Sequence, residues 1–229
     1  MRGKDYMKTS TVPVPAEQQG QTGEVRKRVQ VRRRGITRAR ILEAARRVFS
    51  RTPYIHATID EIILEAGVSR ATLYDYFESK SALATAIYDE IAPEVEALVA
   101  LLPPLAQQDI EAIGAWLQRY IALYEDHRAV VPLLAQLQLF EEGFRQRLRA
   151  DGAAHLTILS DGGIAHLDPA KDDDETIMQR ARGRLMFVRI ATLCGEIAAG
   201  EITDKREVAH SLQLAARELQ QFLRDNVSL

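Results

Sequence analysis

Beyond residue 36 the apolar residues of this chain return every three or four positions, the period of a helix that buries one face. Ile41, Leu42, Ala45, Val48 and Phe49 mark a first helix. Pro53 predicts its end near Arg51 to Pro53, because proline disfavours the helical conformation of the residue before it. Ile62, Ile63 and Ala66 give a second helix one apolar face, and Leu73 and Phe77 turn inward from a third. A linking helix is predicted from Ser79 through Leu83, Ala86, Ile87 and Ile91 and on to Leu102, where Pro103-Pro104 ends it. Three further helices follow: Ile110 to Tyr124, Val130 to Phe140, and a less regular stretch from Phe144 to about Leu159. Gly162-Gly163, Pro169 and the acidic run Asp172 to Glu175 mark a loop before the last two helices. Ala, Leu, Glu, Arg and Gln are abundant and runs of Val, Ile and Thr are few, so the expected fold class is all-α.

The stretch from Thr58 to Phe77 says most about function. Thr58 and Glu61 have the spacing of a capping box, in which each side chain satisfies a backbone N–H of the first helical turn. Gly67 can take the left-handed conformation that stops a helix, and Ser69 can cap a new one. Two short helices meeting across a tight turn make a helix-turn-helix. A second helix of that motif offers its N-terminal side chains to base edges in the major groove, which makes Arg70, Ala71 and Thr72 the candidate base readers. Tyr74, Tyr76, Lys80 and the hydroxyl of Thr58 are candidates for phosphate oxygens, where they position without specifying sequence.

Charge sharpens this picture. The formal net charge is -2, yet Arg26 to Arg47 holds ten basic residues and one acid, a local +9 that leaves -11 on the rest. That asymmetry fits either a polyanion-binding arm on an acidic body or a solvated basic tail, since counterion release depends on local charge. Residues 1 to 35 mix Pro, Gln, Gly and Thr with charge and lack apolar periodicity, so a disordered basic arm is expected there, with Arg34 and Arg38 as candidate DNA contacts at its root. The helix-turn-helix domain is then expected over 36 to 82, and a helical regulatory and dimerisation domain over 83 to 229.

The string AGVSRATLYDYFESKSAL, within Ile41 to Leu83, resembles the N-terminal domain of TetR-type regulators. Tyr76-Phe77 with Ser79-Lys80 matches that family's Y-F-x-S-K signature. The resemblance implies that Thr58, Ser69, Arg70, Thr72, Tyr74, Tyr76 and Lys80 occupy DNA-contacting positions. Two residues depart from the commonest pattern: Ala71 stands where glycine is frequent, and acidic Asp75 lies among the presumed phosphate contacts. The resemblance further implies a helix joining reading head to body, whose tilting would change the spacing of two recognition helices in a dimer.

In the body, bundles place small-molecule sites between helices, and Trp116, Tyr120, Phe140, Phe144 and Phe187 are candidate lining residues, with His155 as a polar handle. Each is also an ordinary core residue by type. Small residues Ala191 and Gly195 permit close helix approach. Val208, Leu212, Ala215, Leu219 and Phe222 recur at the alternating steps of a helix-pair seam. The seam either meets a second copy, as is usual in the family, or packs inside its own protomer.

The five histidines are scattered without metal-ligand spacing, and Cys194 lies in an apolar run, so the reading includes no metal, no cofactor and no enzyme activity. No stretch reaches the roughly 20 apolar residues of a bilayer span, and the first residues lack the apolar segment of a secretory signal; a cytoplasmic protein without membrane association is expected. Two functions follow. The first is a homodimeric repressor on palindromic double-stranded DNA, released by an unknown small-molecule effector. The second is a helix-turn-helix protein controlled by a protein partner without a small ligand, which a body lacking a cavity would favour.

Overall fold

The computed structural model describes residues 16–227, with side chains from Arg28 onward apart from Ala165, and those residues form α-helices and two short 3-10 turns with no strand. Helix α1 spans Ala16–Arg51, so it does not begin near Thr37. Gln, Glu, Lys and Arg are good helix formers, and the glycines at 20, 23 and 35 cost only about 1 kcal/mol each. Over 28–36, where every side chain is exposed, missing apolar periodicity therefore reported a missing packing partner and not a missing helix. The part of the expected arm over 1–15 lies outside the described residues.

The reading head continues with α2 (Ile59–Ala66), α3 (Arg70–Tyr74) and α4 (Lys80–Tyr88). Thr58 and Glu61 form the capping box, Gly67 sits at φ 60°, and the Ser69 and Ser79 hydroxyls accept the N–H groups of Thr72 and Ala82. Each signal read from the sequence here is one of immediate chain neighbours, and each is present.

The linking helix is not continuous. It breaks after Tyr88 and resumes as α5 (Ala92–Val99), with Pro93 in the first turn of the new helix. Pro93 has no N–H to give the carbonyl four residues back and its ring clashes there, whereas at a helix start that N–H is not needed. The joint is closed by Ile91 N–H donating to Tyr88 O at 2.8 Å.

The body comprises α6 (Ile110–Asp126), α7 (Val131–Phe140), α8 (Glu142–Asp161), α9 (Asp174–Ala199) and α10 (Lys205–Asn226). The apolar side chains collect into two cores, and these do not divide at residue 82. The first holds Ile41, Val48, Ile62, Leu73, Leu83 and Ile87 of the head together with Val130, Leu133, Leu137 and Phe144. The second joins Ile113, Trp116, Leu117, Leu159, Ile190, Leu219 and Phe222. Helix α7 and the start of α8 thus belong by packing to the reading head. Tyr54 reinforces this: its N–H donates to Gln136 Oε1 at 2.7 Å and its hydroxyl to Glu141 at 2.6 Å.

Candidate nucleic-acid interface and cavity

Helix α3 turns Leu73 and, just beyond it, Phe77 into the first core and leaves Arg70, Ala71 and Tyr74 exposed, with Thr72 half-buried. The guanidinium of Arg70 pairs with Asp60 on α2, a partner without a local sequence signal because it lies ten residues away. This exposed pair is worth little in water, so guanine can compete for the same donors. The Thr72 and Ser69 hydroxyls lie 2.8 Å apart, and Ser69 Oγ accepts the Thr72 N–H at 3.0 Å, which fixes the first turn. Thr58 gives its hydroxyl proton to Glu61 at 2.9 Å, and its N–H also holds the Glu61 carboxyl below the usual range. As a phosphate donor Thr58 would first have to leave that carboxylate.

Lys80 does not face outward. Its ammonium donates to the carbonyls of Tyr54 and Ala57 at 2.7 and 2.9 Å and stands 4.4 Å from the centroid of the Tyr54 ring. Burial pushes its pKa down. The family motif suggested a phosphate contact, but the loop between α1 and α2 exposes two carbonyls to this side chain, and they take it. Tyr76 is half-buried beneath Arg34, at 5.7 Å, and Arg38 lies 5.4 Å from the Phe77 ring and 3.9 Å from Glu90.

A cavity of about 590 Å³ lies between the two cores. From the first core it takes Tyr88, Ile91 and Phe144, and from the second Tyr120 and Leu123, with Phe187, Ala191 and Gly195 along α9. Tyr120, Phe144, His155 and Phe187 therefore line it as expected. Trp116 does not: it is buried elsewhere, its Nε1 donating to Leu98 O at 2.8 Å. Phe140 is 52% exposed and also lies off the cavity, because α7 turns its other face to the head. Tyr124 was missed, although it follows Tyr120 by one helical turn; burial pushes its hydroxyl up to about 12.

At one wall the Tyr88 hydroxyl donates to Asp151 at 2.8 Å, and Arg147 joins Asp151 at 2.9 Å to Asp89 at 2.7 Å. The end of α4 is thereby tied to α8 beside the α4–α5 joint. Burial lowers the His155 pKa, so the folded protein favours the neutral ring. An unfolded chain then binds a proton that the folded one resists. Stability should fall as pH drops below the ordinary value of 6.5, and His155→Gln should remove part of that fall. Urea unfolding at pH 7 and at about pH 5.5 measures it; equal acid sensitivity of both proteins would place the effect elsewhere.

The presumed dimer seam points inward. Ala215, Leu219 and Phe222 are buried within the second core, and Val208 and Leu212 are half-buried. Gly195 faces Tyr124 of its own chain, where an added Cβ would stand 3.6 Å from Cε1, and Ala191 lines the cavity. The large apolar residues that α9 and α10 leave outside are others: Ile177, Met178 (60% exposed), Leu185 (63%), Val188 and Leu214 (59%). Arg189–Glu218 and Arg182–Asp225 ion pairs cross between the helices on that side.

Among the described residues no group of three His, Cys, Asp or Glu side chains could hold a metal ion, and no helix is long and apolar enough to cross a membrane. Burial pushes the Cys194 thiol up to about 12.

An exposed second helix carried by a capped helix-turn-helix, set on an all-helical body, defines a helix-turn-helix protein. Residues 41–87 match the model of bacterial regulatory proteins of the tetR family. An uncharacterised HTH-type transcriptional regulator of Mycobacterium tuberculosis is 35% identical over 102 residues, covering 37% of this chain and 50% of the relative. The chain thus spans about half the length of the curated relatives it matches. Among solved structures, a TetR family transcription regulator from Marinobacter aquaeolei VT8 superposes with a TM-score of 0.54 at 18% identity, covering 83% of this chain and 97% of that one. GusR of Salmonella enterica does so with a TM-score of 0.54 at 20% identity, covering 81% and 95%. At such identities these two speak for the fold alone. The resemblance to the tetR family is thus carried by residues 41–87, the helix-turn-helix segment of this chain.

Proposed function

We propose that this chain is a cytoplasmic homodimeric repressor that reads an inverted repeat through α3 and leaves its operator when a small, mainly apolar effector occupies the cavity. The observation that carries this reading is the position of the cavity, walled on one side by the core that includes the reading head and on the other by the core of α6, α9 and α10. Its volume suits a drug-sized molecule. A ligand there touches both cores next to the α4–α5 joint, so occupancy shifts the head against the body only as far as the two arrangements bind it unequally. A protein partner would not need this space, which favours the small ligand.

Selection of bound duplexes from a random library tests the DNA half and should yield an inverted repeat. Arg70→Ala should then lose about 1–3 kcal/mol on that site and little on random duplex. Equal losses on both, or no enriched sequence, would refute the reading. For the effector half, anilinonaphthalene sulfonate should fluoresce on binding and Ala191→Trp should abolish the signal. Retained fluorescence in the variant would place the apolar site elsewhere.

A further inference from the structure

We propose that the free half of α1 is a second DNA-contacting element, a basic helical rod that runs along the duplex flanking each half-site; this rests on the DNA-binding reading above. Among the described side chains of α1, none N-terminal to Ile41 is buried, and residues 28–36 are all exposed. The helix nonetheless continues back to Ala16, about 30 Å beyond Gly35 at 1.5 Å per residue. Between Arg26 and Arg40 the sequence places eight bases and no acid. Arg28 with Arg32, and Arg34 with Arg38, are like-charge pairs one turn apart, which repel and weaken an isolated helix. Among the described residues no carboxylate lies within ion-pair distance of Arg32, Arg33, Arg34 or Arg40. A segment whose arginines at 28, 32 and 33 are exposed, repel one another and have no carboxylate partner among the described residues gains most from a polyanion.

Position selects DNA as that polyanion. The root of the rod adjoins the segment that follows α3, through Arg34 on Tyr76 and Arg38 on Phe77. A head with α3 in the major groove therefore brings the rod to the same duplex. The rest of the chain carries -11, so the attraction is confined to this end of the molecule. An anionic membrane surface is the poorer match, because a helix lying on a bilayer needs one apolar face. Val29 and Val31 are exposed on opposite sides of the rod, and the consecutive Arg32, Arg33 and Arg34 wrap around it.

The test uses the full chain and its Arg28→Gln/Arg32→Gln/Arg33→Gln variant, with helicity checked by circular dichroism. The probes are the selected duplex trimmed to its site and the same duplex extended by about two helical turns on each side. Wild type should bind the extended duplex at least tenfold more tightly than the trimmed one, and the variant should lose that gain. In a dimer the variant removes six cations, so its salt slope on the extended duplex should be shallower by about 5. Equal slopes, with Arg70-dependent preference intact on the trimmed duplex, would overturn the rod and leave the reading head standing. Loss of that preference in the wild type would instead overturn the DNA-binding reading itself. Retention of the variant's flank gain, with loss of binding to phosphatidylglycerol vesicles, would assign the rod to a membrane and overturn the proposal.

Discussion

Phe222→Ala should lower the unfolding free energy by about 3–5 kcal/mol, while Leu185→Glu should leave it within about 0.5 kcal/mol and convert the proposed dimer to monomers. Phe222 is completely buried, and a Cβ added at Gly183 would stand only 2.9 Å from its Cζ, so the α9 backbone closes directly over the ring. Removing the ring leaves a cavity that neither Leu156 nor Leu219 can fill without leaving its own place. Leu185 has the opposite surroundings. It shares the outer side of α9 with Met178, and together with Leu214 it presents apolar surface that its own chain leaves mostly exposed. Such a patch on a pair of long helices is what a second copy would bury by twofold pairing. Urea unfolding at fixed protein concentration reads the first effect, and sedimentation velocity reads the second. If Phe222→Ala dissociated the dimer without destabilising the protomer, the seam would face a partner after all. If Leu185→Glu left the dimer intact, the pairing surface would lie elsewhere.

The contrast between these two residues also shows what the amino-acid string could and could not convey. Thr58 with Glu61, Gly67 and Ser69 act on chain neighbours, so their chemistry could be read position by position, and the helix-turn-helix came out in register. The 4-3 spacing of Val208 to Phe222 reported a buried seam equally well. Spacing carries no mark of whose helix fills the groove, however, and α10 meets α6 and α9 of its own chain. The same blindness hid the allegiance of α7. Leu133 and Leu137 look like body residues until Leu83 and Ile87 of α4 are seen to pack in the same core. The cavity was legible only in part, because Tyr120 and Phe144 share helical faces with residues that turn elsewhere, and Trp116 found its partner in the carbonyl of Leu98. The apolar period runs straight through Pro93, but the N–H missing there breaks the helix all the same.

Lys80 is where motif and surroundings disagree, and Lys80→Ala is expected to cost about 2–4 kcal/mol of stability with little change in the salt dependence of DNA binding. The ammonium is the donor seen for two part-buried carbonyls, those of Tyr54 and Ala57, in the loop between α1 and α2. Truncation strands both and removes a cation from the face of the Tyr54 ring. Tyr54 in turn holds α7 through Gln136 and Glu141, so the loss should loosen the docking of α7 on the head as well as the loop. Ala57 immediately precedes the Thr58 cap, and a loosened loop should fray the start of α2 beneath the Arg70–Asp60 pair. Operator affinity would then fall through a less ordered head, evenly across sequences. Lys80→Met, which keeps the apolar stem but not the donor, should reproduce most of the loss. A stable Lys80→Ala protein whose salt slope falls by about 1 would show instead that the ammonium leaves its two carbonyls and meets a phosphate.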